Sequence, residues 1–252
     1  MNEIFSERPP QEQPVSQPQM ARVAMPSLAP TATYVILGFT ALIYLSQLAS
    51  AALIGKDLPL LLGARVTELI LEGQWWRFLT PVFLHGSAAH IFFNMYALLS
   101  IGSFLERHLG RGRFLLLYFL SAFAGNVFSF LLTEGYSVGA STAVFGLVAA
   151  EAVFFYQNRK LFGEQAKQAL GNVLFIVVVN LLIGLSPGID NWGHVGGLLG
   201  GAMFSWFAGP LWKVAGIFPN FHLEDQRELR EVVMGASATI LVFGALAAAG
   251  LF

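Results

Sequence analysis

The chain has 252 residues, a net charge of −1 and no cysteine; 56% of it is hydrophobic and 12% charged, with a mean hydropathy of +0.64. That composition is far from the half-apolar, quarter-charged mix of soluble domains and indicates a multi-span membrane protein. The near-zero charge, with no basic tract, argues against a nucleic-acid partner, and the lack of cysteine excludes disulfides, thiolate metal sites and cysteine nucleophiles.

In chain order, residues 1–32 carry six prolines with several Gln and Ser and almost no apolar clustering, as in SERPPQEQPVSQPQ. This reads as a disordered cytoplasmic tail. It lacks the apolar core of a secretory signal, and Glu3, Glu7 and Glu12 argue against an acid-poor transit sequence. A helix needs roughly 20 apolar residues to cross the hydrocarbon core. About seven runs serve, near 33–54, 87–105, 114–133, 139–157, 172–185, 191–208 and 233–252, the fifth and sixth short and close together. The fold class expected is an all-α, seven-span membrane bundle. Residues 55–86, rich in Leu, Trp and Phe, hold too many helix breakers for a plain span and are expected to dip into the membrane or lie at its interface. Residues 209–232 read as a cytoplasmic linker.

Cytoplasmic loops carry the excess of Lys and Arg. Eleven of the fourteen (Arg8, Arg22, Arg107, Arg111, Arg113, Arg159, Lys160, Lys167, Lys213, Arg227, Arg230) fall on one set of alternating loops, and Lys56, Arg65 and Arg77 lie in the first connection. The N-terminus is therefore expected inside and, with seven spans, the C-terminus outside.

Polar groups inside spans are costly and usually functional. His90 and Asn94 fall in the first turns of span 2, Ser141 in the first turn of span 4 and His194 in the first turn of span 6. At about 1.5 Å per residue these groups sit at one depth near the outer boundary. His90 and Asn94, spaced i,i+4, share a helix face; His85 and His90, five apart, make no helical zinc pair. Glu106 and Glu151 read as structural. Gly193, Gly197 and Gly201 recur every four residues in NWGHVGGLLGGAMF, with Gly196 and Gly200 in a second row, and Gly139 and Ala140 keep the start of span 4 slim. Such spacing lets two helices approach closely, as a Ser141–His194 contact would require. A second Gly-Ala-Ser, ending at Ser237, would lie at the opposite membrane surface and reads as packing. On the residues alone, a serine hydrolase site and a transporter's polar path both remain open. The transporter would call for inverted repeats, and none is visible.

Three segments in this order, WWRFLTPVFLHGSAAHIFFNMYAL, GASTAVFG and GHVGGLLGG, resemble the rhomboid intramembrane serine proteases over most of the span region. The resemblance implies a six-span core over 33–208 followed by one additional span. It implies Ser141 as nucleophile, His194 as general base, His90 and Asn94 as oxyanion donors, and Phe145 packed against the base. Trp76 and Arg77 match a structural Trp-Arg pair in the first loop. Thr142 stands where many members have glycine. The implied activity is a cofactor-independent serine endopeptidase of a bacterial inner membrane. It would cut single-span proteins near the extracytoplasmic end of their helices and admit them beside span 5. A non-catalytic, client-binding relative would lack the serine or the histidine, and both are present.

Overall fold

The computed structural model describes residues 23, 27–217 and 219–251. The proline-rich segment read as a tail lies mostly outside them. Among the described residues seven long helices follow one another: α1 Thr31–Ile54, α2 Ala88–Leu109, α3 Arg111–Leu132, α4 Ser141–Gln157, α5 Glu164–Ile183, α6 Asn191–Ala208 and α7 Leu229–Leu251. Five of them, α1, α2, α3, α5 and α7, are long and apolar enough to cross a membrane, and α4 is a shorter apolar helix.

The fold is mostly helical, with two small antiparallel ladders that hydropathy did not reveal. β1 (Arg65–Val66) pairs with β2 (Tyr136–Ser137), joining the first connection to the loop before α4. β3 (Trp212–Ile217) pairs with β4 (Asn220–Asp225), so the segment read as a linker is a hairpin. The Asp225 carboxylate anchors this hairpin by accepting from the Arg113 guanidinium and from the N–H groups of Leu211 at 3.0 Å and Arg227 at 2.9 Å. Asn158 Oδ1 accepts from Trp212 N–H at 2.8 Å.

Helix limits depart from the apolar runs where polar residues also favour helix. α5 is 20 residues rather than a short span, because EQAKQALGN has good helix formers that a hydropathy window discards. Conversely α4 begins at Ser141, two residues later than its apolar run, since Gly139 has φ +131°, outside the helical region.

Helices α3, α4 and α6 form the centre, each packed on the other two; α7 lies against α6 and α3, and α5 chiefly against α4. The α6 glycine rows divide the work. A Cβ at Gly197 or Gly201 would overlap backbone of α4, at Thr142 and Gly146 respectively, whereas one at Gly196 would lie 2.6 Å from Ala124 O of α3. Gly, with no Cβ, is what permits this approach on both sides.

Several buried polar groups tie the connections to the bundle. Glu106, fully buried at the end of α2, caps α1: it accepts from Ala32 N–H at 2.8 Å, Thr33 N–H at 2.7 Å and Thr33 Oγ1 at 2.8 Å. Gln47, within α1, donates to Asp57 Oδ2 at 2.8 Å and accepts from His85 N–H at 3.0 Å. Asn126 of α3 donates to Phe78 O at 3.0 Å. These bonds satisfy groups that would otherwise be costly to bury.

Candidate active site

Ser141 is the first residue of α4, reached through β2 and Gly139, whose N–H donates to Pro81 O at 2.9 Å. As a first-turn residue it has a backbone N–H outside the helical ladder. His194 lies in the first turn of α6, buried, and its Nε2 is 2.9 Å from Ser141 Oγ. Protonation at Nδ1 leaves Nε2 to accept the hydroxyl proton, the arrangement that activates a serine. Phe145, one turn along α4, stacks on the His194 ring with centroids 4.2 Å apart and planes at 10°. Stacking and the close α4–α6 contact together orient the imidazole.

His90, in the first turn of α2, faces residue 139: a Cβ on Gly139 would lie 2.7 Å from His90 Nε2 and 3.6 Å from Ser141 Oγ. Glycine here therefore allows the imidazole beside the serine. Asn94 is buried, its amide donating to His90 O at 3.0 Å. All four groups line one cavity of about 1020 Å³, with Phe145 and Asn180 also on its wall. The cavity thus combines a hydroxyl 2.9 Å from an imidazole with further donors, a set able to perform acyl transfer.

Other residues singled out in the sequence lie off this cavity. Arg77 is buried and knots the first connection, its Nη1 donating to Ala64 O at 2.6 Å and its Nη2 to Leu61 O at 2.8 Å. Trp76 is half-exposed and donates from Nε1 to Leu62 O at 3.0 Å. Ser237 is exposed on α7. Thr142 is buried at the junction of three helices, and a Cβ on Gly125 of α3 would lie 2.6 Å from its own Cβ. Gly125 leaves the room that a larger residue after the serine needs.

Two residues beside the site were not singled out from the sequence. His85 is buried with its ring edge-on to His90, centroids 5.0 Å apart, and its Nε2 accepts from Ala140 N–H at 3.4 Å. Burial, aided by the nearby His90, pushes the His85 imidazole down to about 3, so it is neutral at ordinary pH. Testing it only as a helical partner of His90 missed it, because it lies before the α2 N-cap, Ser87. Asp190 caps α6 and accepts from Gly193 N–H at 2.9 Å, Thr133 Oγ1 at 2.7 Å and Ser129 Oγ. Burial alone would raise its carboxyl, but the hydrogen bonds from Ser129, Ser137, Thr133 and Gly193 outweigh that and hold it below the ordinary value. An Asp before Asn-Trp-Gly-His was a readable N-cap signal.

The family model of the Rhomboid domain matches residues 72–211, more than half of the chain, and this stretch contains the whole cavity wall named above. Rhomboid protease GluP of Bacillus subtilis is 38% identical over 174 residues, 68% of this chain and 34% of that protein. Rhomboid protease AarA of Providencia stuartii is 29% identical over 218 residues, 77% of this chain and 78% of that one. RHOMBOID-like protein 5 of Arabidopsis thaliana is 38% identical over 154 residues, 59% of this chain and 50% of that one. The chain therefore spans about a third of GluP and half of the plant protein. With its apolar helices and these matches, the chain is a multi-pass integral membrane protein that belongs to the rhomboid family.

Proposed function

We propose that this protein is an intramembrane serine endopeptidase in which Ser141 attacks a peptide carbonyl and His194 takes the hydroxyl proton. The observation carrying this reading is the 2.9 Å Ser141 Oγ–His194 Nε2 contact on the wall of a large cavity. His194 then returns the proton to the leaving amine, and water repeats the attack on the acyl-serine. The Ser141 N–H and the side chains of His90 and Asn94 hold the oxyanion. For this the Asn94 amide turns from His90 O toward the substrate oxygen.

In this reading all seven long helices cross the membrane. The N-terminus is cytoplasmic and the cavity opens on the extracytoplasmic side, as the Lys/Arg asymmetry directs. The membrane is the inner membrane of a bacterium. The core spans residues 33–208, and α7 is an added span. Substrates are single-span proteins whose helices unwind near that surface, at Gly, Pro or small residues. They reach Ser141 beside α5, which packs mainly on α4 and contributes Asn180 to the cavity.

The test uses purified wild type, Ser141→Ala, His194→Ala and Ser237→Ala in detergent, each with a fluorophosphonate probe and a model single-span substrate. Wild type and Ser237→Ala should label and cleave while the other two do neither. A folded wild type that is inert toward probe and several substrates would refute the protease reading and favour client binding.

A further inference from the structure

Among the described residues no carboxylate is bonded to the His194 ring: Nδ1 is buried and has no hydrogen-bond partner there. A carboxylate nevertheless sits four residues earlier, on the backbone that carries the ring. Asp190 O accepts from His194 N–H at 3.2 Å, and Asp190 Oδ1 accepts from Gly193 N–H at 2.9 Å, so both ends of this residue close the first turn of α6. The same carboxylate is fastened to α3. Ser129 Oγ donates to Oδ2, and Thr133 Oγ1, just past the end of α3, donates to Oδ1 at 2.7 Å. Asp190 also lies on the wall of the cavity.

The surroundings are built for an anion. Arg65 of β1 is fully buried and interacts electrostatically with Asp190. Its Nη1 donates to Gly135 O at 2.8 Å, and Arg65 pairs with Ser137 in the β1–β2 ladder. Two connections are thus hydrogen-bonded at Asp190, the loop before α4 through Thr133 and Ser137 and the loop before α6 through Asp190 itself, while Arg65 of the first connection acts on it through its charge alone. Both loops carry candidate catalytic groups onward, Ser141 at the end of one and His194 at the end of the other.

We propose that Asp190 is a positioning residue that sets the height and rotation of the α6 first turn against α3, and through it the distance of His194 from Ser141. This rests on the Ser141–His194 chemistry proposed above. It takes over, through the backbone, the orienting task that a third carboxylate performs on the ring in a Ser-His-Asp triad. The 2.9 Å bond leaves little tolerance, since hydrogen-bond reach ends near 3.2 Å. Slack of a few tenths of an ångström in the first turn is enough to disengage the base.

Asp190→Ala removes the cap and both α3 anchors. Asp190→Asn removes the charge but keeps an oxygen for Gly193 N–H and Thr133, with Ser129 Oγ able to accept from the amide. The paired change Ser129→Ala with Thr133→Val keeps the cap and severs α3. Each full-length variant is measured in detergent for kcat and KM on a single-span substrate, for thermal unfolding, and for amide hydrogen exchange over residues 191–197. The proposal expects kcat to fall tenfold or more in Asp190→Ala and in the paired variant, with KM within twofold. It expects most of kcat restored in Asp190→Asn, and exchange to quicken in the α6 first turn in step with kcat. Unchanged kcat in Asp190→Ala overturns it, as does a loss of kcat that follows global unfolding with no local change in exchange. An inert wild type would refute the Ser141–His194 reading separately, and the exchange pattern would still decide whether Asp190 governs the α6 first turn.

Discussion

Replacing Gly197 by alanine tests whether the glycine row serves the reaction or only the packing. A Cβ at 197 would overlap Thr142 O and lie 2.9 Å from Thr142 C and 3.3 Å from Thr142 Cα. All three atoms are backbone, so no rotamer change relieves the clash, and α6 must recede from α4 by about 1 Å. Residue 197 lies one turn below His194, and Thr142 adjoins Ser141, so the displacement falls on the Ser141–His194 contact itself. Opened from 2.9 Å by that amount, the Ser141–His194 pair leaves hydrogen-bond reach. A misplacement of about 1 Å costs on the order of 10²-fold in rate, about 2.7 kcal/mol in the barrier. Overpacking costs about 1–3 kcal/mol in stability. The assay is kcat on a single-span substrate together with the rate of fluorophosphonate labelling, beside the melting temperature. Gly244→Ala, where an added Cβ meets none of the described residues within 4 Å, is the matched control and should keep full activity. Gly197→Ala with more than half of wild-type kcat, or an equal loss in Gly244→Ala, would refute the reasoning.

Three further outcomes follow from the same geometry. Phe145→Leu removes a ring stacked 4.2 Å from His194, and since such pairs contribute about 0.5–1.5 kcal/mol, kcat should fall roughly 3- to 10-fold at constant KM; an unchanged labelling rate would contradict it. Glu106→Ala strips the cap from α1 and leaves two buried N–H groups unpaired, which should lower stability by about 2–3 kcal/mol as read by denaturation in detergent, with kcat retained in the folded fraction. His85, neutral in the folded protein with its imidazole at about 3 against 6.5 unfolded, makes stability pH-dependent. Below pH 6.5 the unfolded chain takes up a proton that the folded one refuses. Stability should therefore fall as pH drops from 6.5 toward 3, by up to about 1.4 kcal/mol per unit. Melting curves of His85→Gln should lose that part of the slope, and an identical slope would exclude His85 as its source.

The rhomboid resemblance and the membrane class were legible in the sequence because motif order and hydropathy are local properties. Counting residues from the start of each span also put His90, Asn94, Ser141 and His194 at one level. That count could not say that Ser141 and His194, 53 residues apart, come within 2.9 Å, because the distance depends on how α4 and α6 pack. The boundaries were misread where hydropathy and helix propensity part company: at the polar start of α5, and at Gly139, whose positive φ ends the extended approach to α4. The β3–β4 hairpin escaped notice because pairing across a short turn needs no long apolar run.

By itself, the sequence determined that the chain is an apolar helical protein, where its helices roughly run, and that α6 has two rows of glycine. Helical period and side-chain polarity suffice for those conclusions. Only the tertiary structure decided which row faces α4 and which faces α3, that Gly125 makes room for Thr142, and that Glu106 caps a helix 73 residues away. It alone set His85 against His90 and gathered Ser129, Thr133 and Gly193 around Asp190. The physical reason is the same in each case. A buried polar group must find its partner wherever packing supplies one, and a glycine's missing Cβ matters only when another backbone comes to occupy its place.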